Sequence, residues 1–186
     1  MGLYDRWLDF RDKCLTSPAF HDFAVKFPLT RLIVRKRQNE VFDVVSGFIY
    51  SQVLFALVEL DVLHNPELRN NGGLSLEQFS ESTGLELDEA KRLAKAASAL
   101  RLLEERNEKF RLGDLGAALS ANPGALAMIR HHKYLYKDLE DPVSILKSGR
   151  QETHLSRYWD YARSDDPSSA AADKVSEYSQ LMGDSQ

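Results

Sequence analysis

A chain of 186 residues, 43% hydrophobic and 28% charged, has the make-up of an ordinary globular protein, with room for one ample core or two small ones. Its formal net charge of −4 argues against a general nucleic-acid binder, which is normally basic. The single cysteine, Cys14, excludes an internal disulfide and a cysteine-rich zinc site, and the charged start MGLYDRWLDFRDK is no secretory signal, so a cytoplasmic location is expected.

In chain order, residues 4–15 read as a short amphipathic helix. Ser17-Pro18 is a cap followed by proline at the first helical position, so a second helix begins there. Phe20, Phe23, Ala24 and Phe27 give it an aromatic face, and Pro28 ends it. Arg31, Arg35, Lys36 and Arg37 form a dense basic cluster, read either as a solvated helix face or as a contact for an acidic partner or a membrane surface.

The most apolar segment, VFDVVSGFIYSQVLFALVELDVL, opens at Val41 and closes at Leu63. Asp43, Gln52, Glu59 and Asp61 interrupt it and speak against a membrane span. A helix apolar almost all round must be covered by protein on nearly every side, and so small a chain can hardly supply that cover. The expectation is a helix 41–63 at an intertwined homodimer interface, joined by the N-terminal helices, with Gly47 and Ser51 permitting close approach. The alternative is a helix at the centre of a monomer core. HNPELRNNGG, residues 64–73, follows as a turn-rich loop.

Residues 74–119 read as helix, tight turn, helix and two-stranded wing, a winged helix. Ser75 and Gln78 have the spacing of a capping box, flanked by Leu74 and Phe79 as a hydrophobic staple. Gly84 stands where a left-handed residue stops the first helix. In the second, Ala90, Leu93, Ala94, Ala97 and Leu100 repeat at the spacing of one buried face. Arg106-Asn107-Glu108-Lys109 is a polar hairpin turn. Beyond it, Asn122-Pro123, Asp141-Pro142 and Asp166-Pro167 each look like an N-cap with proline at the first helical position, starting helices at about 124–136, 143–147 and 168–182. A further helix at about 155–162 carries Tyr158, Trp159 and Tyr161. The class is mainly α, in three segments: 1–73, 74–119 and 120–186.

Chemistry is sparse. No glycine-rich cofactor loop or phosphate loop is present. His131 and His132 are adjacent in a predicted helix and point about 100° apart, a poor chelate, so no metal site is expected; they read as pocket-wall or ordinary helix residues. Tyr134, Tyr136, Tyr158, Trp159 and Tyr161 line a flat apolar ligand site or simply fill a core. The exposed face of the second winged-helix helix offers Lys91, Arg92, Lys95 and Ser98, yet residues 74–119 hold seven Lys or Arg against nine Asp or Glu, and acidic Glu104, Glu105 and Glu108 sit on the wing. Nucleic acid is therefore not expected as a partner, although a stand-alone winged-helix DNA-binding or ligand-sensing regulator stays open as the alternative.

The stretches RWLDFRDKCLTSPAFHDFA, FDVVSGFIYSQVL and LGDLGAALSANPGALAMIRHHKYLYKDLEDPVSIL, in this order, resemble the N-terminal part of the S-adenosylmethionine-dependent O-methyltransferases of the caffeate type, and within them the bacterial carotenoid enzymes. The resemblance implies a helical dimerisation domain whose winged helix packs against a partner subunit and caps a hydrophobic substrate, with methyl transfer to a hydroxyl, here of a carotenoid intermediate. S-Adenosylmethionine would be held by a following Rossmann-like α/β domain absent from this chain, so no catalytic or cofactor residue carries over and the chain alone is expected to be inactive. Met182, in the ending YSQLMGDSQ, matches a substrate-contact position, with Tyr178 one turn before it; Trp159, His131 and His132 are further pocket-wall candidates. Peripheral membrane contact through the basic cluster is a further expectation.

Overall fold

In a computed structural model, residues 2–69, 72–148 and 153–158 are described, and the chain divides into two compact units, residues 1–49 and residues 50–186. The class is mainly α, with one two-stranded sheet among the described residues.

The first unit holds α1 (Leu3–Thr16), α2 (Pro18–Lys26) and the opening half of α3 (Pro28–Glu59). The Gly2 N–H donates to Asp5 Oδ2 at 2.9 Å, and the Phe20 N–H to Ser17 Oγ at 3.4 Å, so α1 and α2 each begin on a side-chain acceptor. Thr30 Oγ1 donates to Ala24 O at 2.7 Å and ties the start of α3 to the end of α2.

The rod expected at 41–63 forms with different ends. Pro28 ends α2 and also opens α3, at a position where its missing N–H costs nothing, so the basic cluster and the apolar stretch share one 32-residue helix. At the far end the helix stops at Glu59. Asp61 turns left-handed at φ 52°, its carboxylate accepting from His64 Nδ1 at 2.7 Å, and Val62–His64 make a single 3-10 turn. Residues 64–73 are likewise not all loop: Asn65 Oδ1 accepts from the Glu67 N–H at 2.9 Å and starts the one-turn α4 (Pro66–Arg69), a polar-proline step like the three further along.

In the second unit, α5 (Leu76–Thr83), α6 (Leu87–Ala99), β1 (Leu103–Arg106) and β2 (Lys109–Leu112) follow the expected order. The Ser75 N–H donates to Gln78 Oε1 at 2.9 Å, and the Gln78 N–H to Ser75 Oγ at 3.3 Å, closing the capping box. Leu74 and Phe79 on either side are both buried, and Gly84 ends α5 at φ 68°. Ala90, Ala94 and Ala97 put small, fully buried side chains on one face of α6. The strands pair antiparallel with Leu103 opposite Leu112 and Arg106 opposite Lys109. Asn107 and Glu108 both take positive φ, 54° and 58°, the two-residue turn whose twist matches the strands. Leu74 and Phe110 exchange backbone bonds of 2.8 and 2.7 Å, so the residue before α5 is stitched to the hairpin.

Then come α7 (Asp114–Ser120), α8 (Pro123–Asp138), α9 (Pro142–Ser148) and α10 (His154–Tyr158). Asn122 Oδ1 accepts from Ala125 and Asp141 Oδ1 from Ser144, at 3.0 and 2.9 Å, capping α8 and α9 as their polar-proline steps implied. The spacing of the sequence does not predict α7. It crosses the chain entering β1 so closely that a Cβ on Gly116 would lie 1.9 Å from Leu102 O. The core joins Leu57, Val58, Val62 and Leu63 to Leu68, Leu74, Phe79, Leu103, Phe110, Leu126 and Ile129. The helix expected at 155–162 is described only as α10, and the one at 168–182 lies outside the described residues.

Candidate functional site

Among the described residues of the first unit, Ala24 and Ser46 alone are buried, so that unit has next to no core of its own. Its part of α3 exposes Val41, Phe42, Val44, Val45, Phe48 and Ile49, with Val44 83% and Phe48 61% exposed. At 100° per residue these six side chains lie within an arc of about 160°, one broad face of the helix. A Cβ on Gly47 would meet nothing within 4 Å, leaving that flank open as well. Burying an apolar side chain of this size is worth about 1.5–3 kcal/mol, so leaving six in water forfeits on the order of 10 kcal/mol. By length and composition α3 could cross a membrane, with a mean hydropathy of 1.8 in its most apolar window, of which 17% is buried. Its last turns, however, carry Leu57 and Val58 inside a protein core. On α1, Leu3, Tyr4, Trp7 and Phe10 add a second exposed apolar stripe at helical spacing.

A cleft of about 460 Å³ also lies within this unit, lined by Leu15, Phe20, Ala24, Ile33, Val34 and Val41 with His21, Thr30, Arg37 and Gln38. Two of its polar groups are spent on backbone: His21 Nε2 donates to Leu15 O at 2.6 Å, and Thr30 to Ala24 O. What remains is an apolar surface with cationic and amide groups at its edge.

The second unit places the histidine pair on α8. His131 Nδ1 donates to Ala127 O one turn back at 2.7 Å. His132 sets its ring edge-on to Tyr136, centroids 5.8 Å apart. Tyr136 in turn meets Phe55 edge-on at 5.6 Å and donates its hydroxyl to Ser51 O at 3.4 Å. His132 thus joins an aromatic cluster with Tyr136 and Phe55, while His131 is tied to its own helix backbone. Trp159, Tyr178 and Met182 lie outside the described residues. Among the described residues no group of three or more His, Cys, Asp or Glu could hold a metal ion.

Sequence reasoning missed Asp138. Its carboxylate accepts from the backbone N–H of His154 at 2.6 Å and of Leu155 at 2.9 Å, and from His154 Nδ1 at 2.9 Å, anchoring α10 to the end of α8. Burial opposes its ionisation, but these bonds outweigh burial and hold the carboxyl below the usual range. Sixteen and seventeen residues separate the donors from the acceptor, so no local motif could have announced it. A polar depression of about 410 Å³ beside it is lined by Lys137, Glu140, Asp141 and Thr153 among others. Asp114 is held low in the same direction, first by its hydrogen bond from Arg101, whose Nε donates at 3.1 Å.

The face of α6 that a DNA reader would present is largely engaged within the chain. Lys95 pairs with Glu105 of β1, Arg92 lies 3.8 Å from Glu89, and Ser98 donates to Ala94 O at 2.8 Å.

The described residues thus offer an exposed apolar helix face and a tightly capped helix–turn–helix with its hairpin. Residues 42–122 match the O-methyltransferase dimerisation domain. The chain is 39% identical over 184 residues to the demethylspheroidene O-methyltransferase of Rhodobacter capsulatus, and 41% over 175 residues to that of Cereibacter sphaeroides, covering 96% and 91% of this chain. It spans 44% of the length of each relative. In fold it is similar to the mitomycin 7-O-methyltransferase MmcR (TM-score 0.60, 18% identity, 83% of this chain and 45% of that one). It is similar also to the S-adenosylmethionine-dependent methyltransferase SibL (0.58, 18%, 77% and 43%) and to human N-acetylserotonin methyltransferase (0.52, 22%, 62% and 36%). The described residues do not fit S-adenosylmethionine: their two strands form a hairpin, and no parallel strand leads through a glycine-rich turn into a helix.

Proposed function

We propose that this chain is the dimer-building and substrate-capping part of an S-adenosylmethionine-dependent O-methyltransferase that methylates a hydroxyl of a carotenoid intermediate. The observation that carries the reading is the exposed apolar face of α3 at 41–49, continuous with the family match that starts at residue 42. The identity to the two demethylspheroidene enzymes supports the substrate class. In this reading residues 1–73 build the homodimer, 74–119 are a winged helix used for packing, and 120–186 lead towards the cofactor domain. Because the cofactor is held outside residues 1–186, the chain alone transfers no methyl group. His131 and His132, with Tyr136, form part of the pocket wall, completed by Trp159, Tyr178 and Met182. A thioether and flat rings suit a long polyene alcohol, which offers dispersion and one hydroxyl. The protein works in the cytoplasm, in peripheral contact with the membrane.

Titration of a hydroxylated carotenoid in detergent tests the capping role. The polyene absorption is expected to shift on adding the chain, and the shift to shrink in His132→Ala. An unchanged spectrum at saturating protein contradicts the assignment. Calorimetry with S-adenosylmethionine alone is expected to give no heat of binding.

A further inference from the structure

From Phe23 to Arg37 the chain reads FAVKFPLTRLIVRKR, with five cations and no acid, in a protein whose formal net charge is −4. In the structure this is the corner where α2 ends and α3 begins. Phe23 and Phe27 stack there at 5.6 Å and both are exposed; Leu29 and Leu32 are 78% and 73% exposed. Leu29, Leu32 and Lys36 follow each other down one ridge of α3, and Arg31 and Arg35 down the adjacent one. Among the described residues, the ion pair recorded for these five cations is Lys36 with Glu40, at 3.9 Å and well exposed on both sides, a pair of little energetic weight.

We propose that this corner docks the chain on an anionic bilayer surface, with Phe27, Leu29 and Leu32 inserted at the headgroup boundary and Arg31, Arg35 and Lys36 meeting lipid phosphates. Bare cations would suit any polyanion. The apolar side chains interleaved with them have no counterpart on a nucleic-acid backbone, whereas long cationic stems lying over inserted apolar groups are what an interfacial helix uses. Residues 1–73 as a whole build the homodimer in the function proposed above, but the dimerisation match itself starts at residue 42, beyond this patch, which leaves the corner free for the bilayer. The inference deepens the membrane contact of the function proposed above. It is read by vesicle binding, whereas the dimer is read by mass and the pocket by polyene absorption, so either can fail alone.

The test is flotation of the whole 186-residue chain with phosphatidylcholine vesicles, with and without about 30% phosphatidylglycerol. The chain is expected to float with the anionic vesicles and remain behind with the neutral ones, and to be released by high salt. Binding is expected to fall about tenfold or more in Arg31→Gln/Arg35→Gln/Lys36→Gln, and also in Leu29→Ser/Leu32→Ser, with helix content by circular dichroism unchanged. Equal binding to both vesicles, binding to neither, or flotation untouched by both variants overturns the proposal. A change in oligomeric mass in the glutamine variant without a change in flotation also overturns it, and assigns the patch to contact between copies.

Discussion

Phe48 and Leu57 belong to one helix and to equally apolar surroundings in the sequence, yet the first is 61% exposed and the second fully buried. Around Leu57 the chain supplies its own cover: Leu63, Leu68, Phe79 and Leu126 belong to the same core. Around residues 41–49 the described residues of the first unit contribute one buried hydrophobic residue, Ala24, to set against a row of exposed ones. Hydrophobicity therefore records that a surface must be covered; only packing shows whether the same chain covers it. Substitutions on the two stretches should accordingly fail in different ways.

The largest expected effect is in the self-covered half. Phe79→Ala should cost about 3–5 kcal/mol, read as a lower urea midpoint, because it empties a fully enclosed site. Phe48→Ser should leave the midpoint of the dilute chain nearly unchanged and weaken association instead. Next comes Gly116→Ala: with Leu102 O at 1.9 Å from the added Cβ, backbone has to move, and a loss of about 1–3 kcal/mol is expected in the same urea titration. A normal midpoint there would mean that α7 does not press on the approach to β1.

Asn122→Ala should cost about 1 kcal/mol by thermal melting, through loss of the cap on α8. The smallest effect belongs to Asp138. A carboxyl held below its unfolded value near ~3.9 contributes stability that is complete above that pH and is lost as pH falls through the folded value. Wild type and Asp138→Asn should therefore differ at pH 7 and converge below about pH 4. A gap that persists in acid would assign the anchor to something other than the charged carboxylate.

What was legible in the sequence was whatever is settled within a few residues. The Ser75–Gln78 box, the caps at Asn122 and Asp141, the alanine stripe of α6 and the turn at Asn107-Glu108 all appear where their spacing put them. Misjudged features depended on what lies across the fold. In the sequence Pro28 reads only as a stop, because proline disfavours the turn before it just as it favours the turn after it. The start of α4 carries the same polar-proline signal at Asn65-Pro66, hidden inside a run of turn formers. For α7 the signal was Gly113 with Gly116, whose need for close approach to Arg101 and Leu102 is visible only once β1 is in place. Of the candidate site, His132 packs on Tyr136 one turn along its own helix, a spacing the sequence shows, whereas the contacts of Tyr136 with Phe55 and Ser51 span some 80 residues and have no local trace.

The central claim is that a second copy of this chain covers residues 41–49. Sedimentation equilibrium on the 186-residue chain tests it most directly. The account predicts the mass of a dimer, reduced to that of a monomer by Val44→Asp/Phe48→Asp with helix content unchanged. A wild-type chain that stays monomeric at the highest attainable concentration would contradict it.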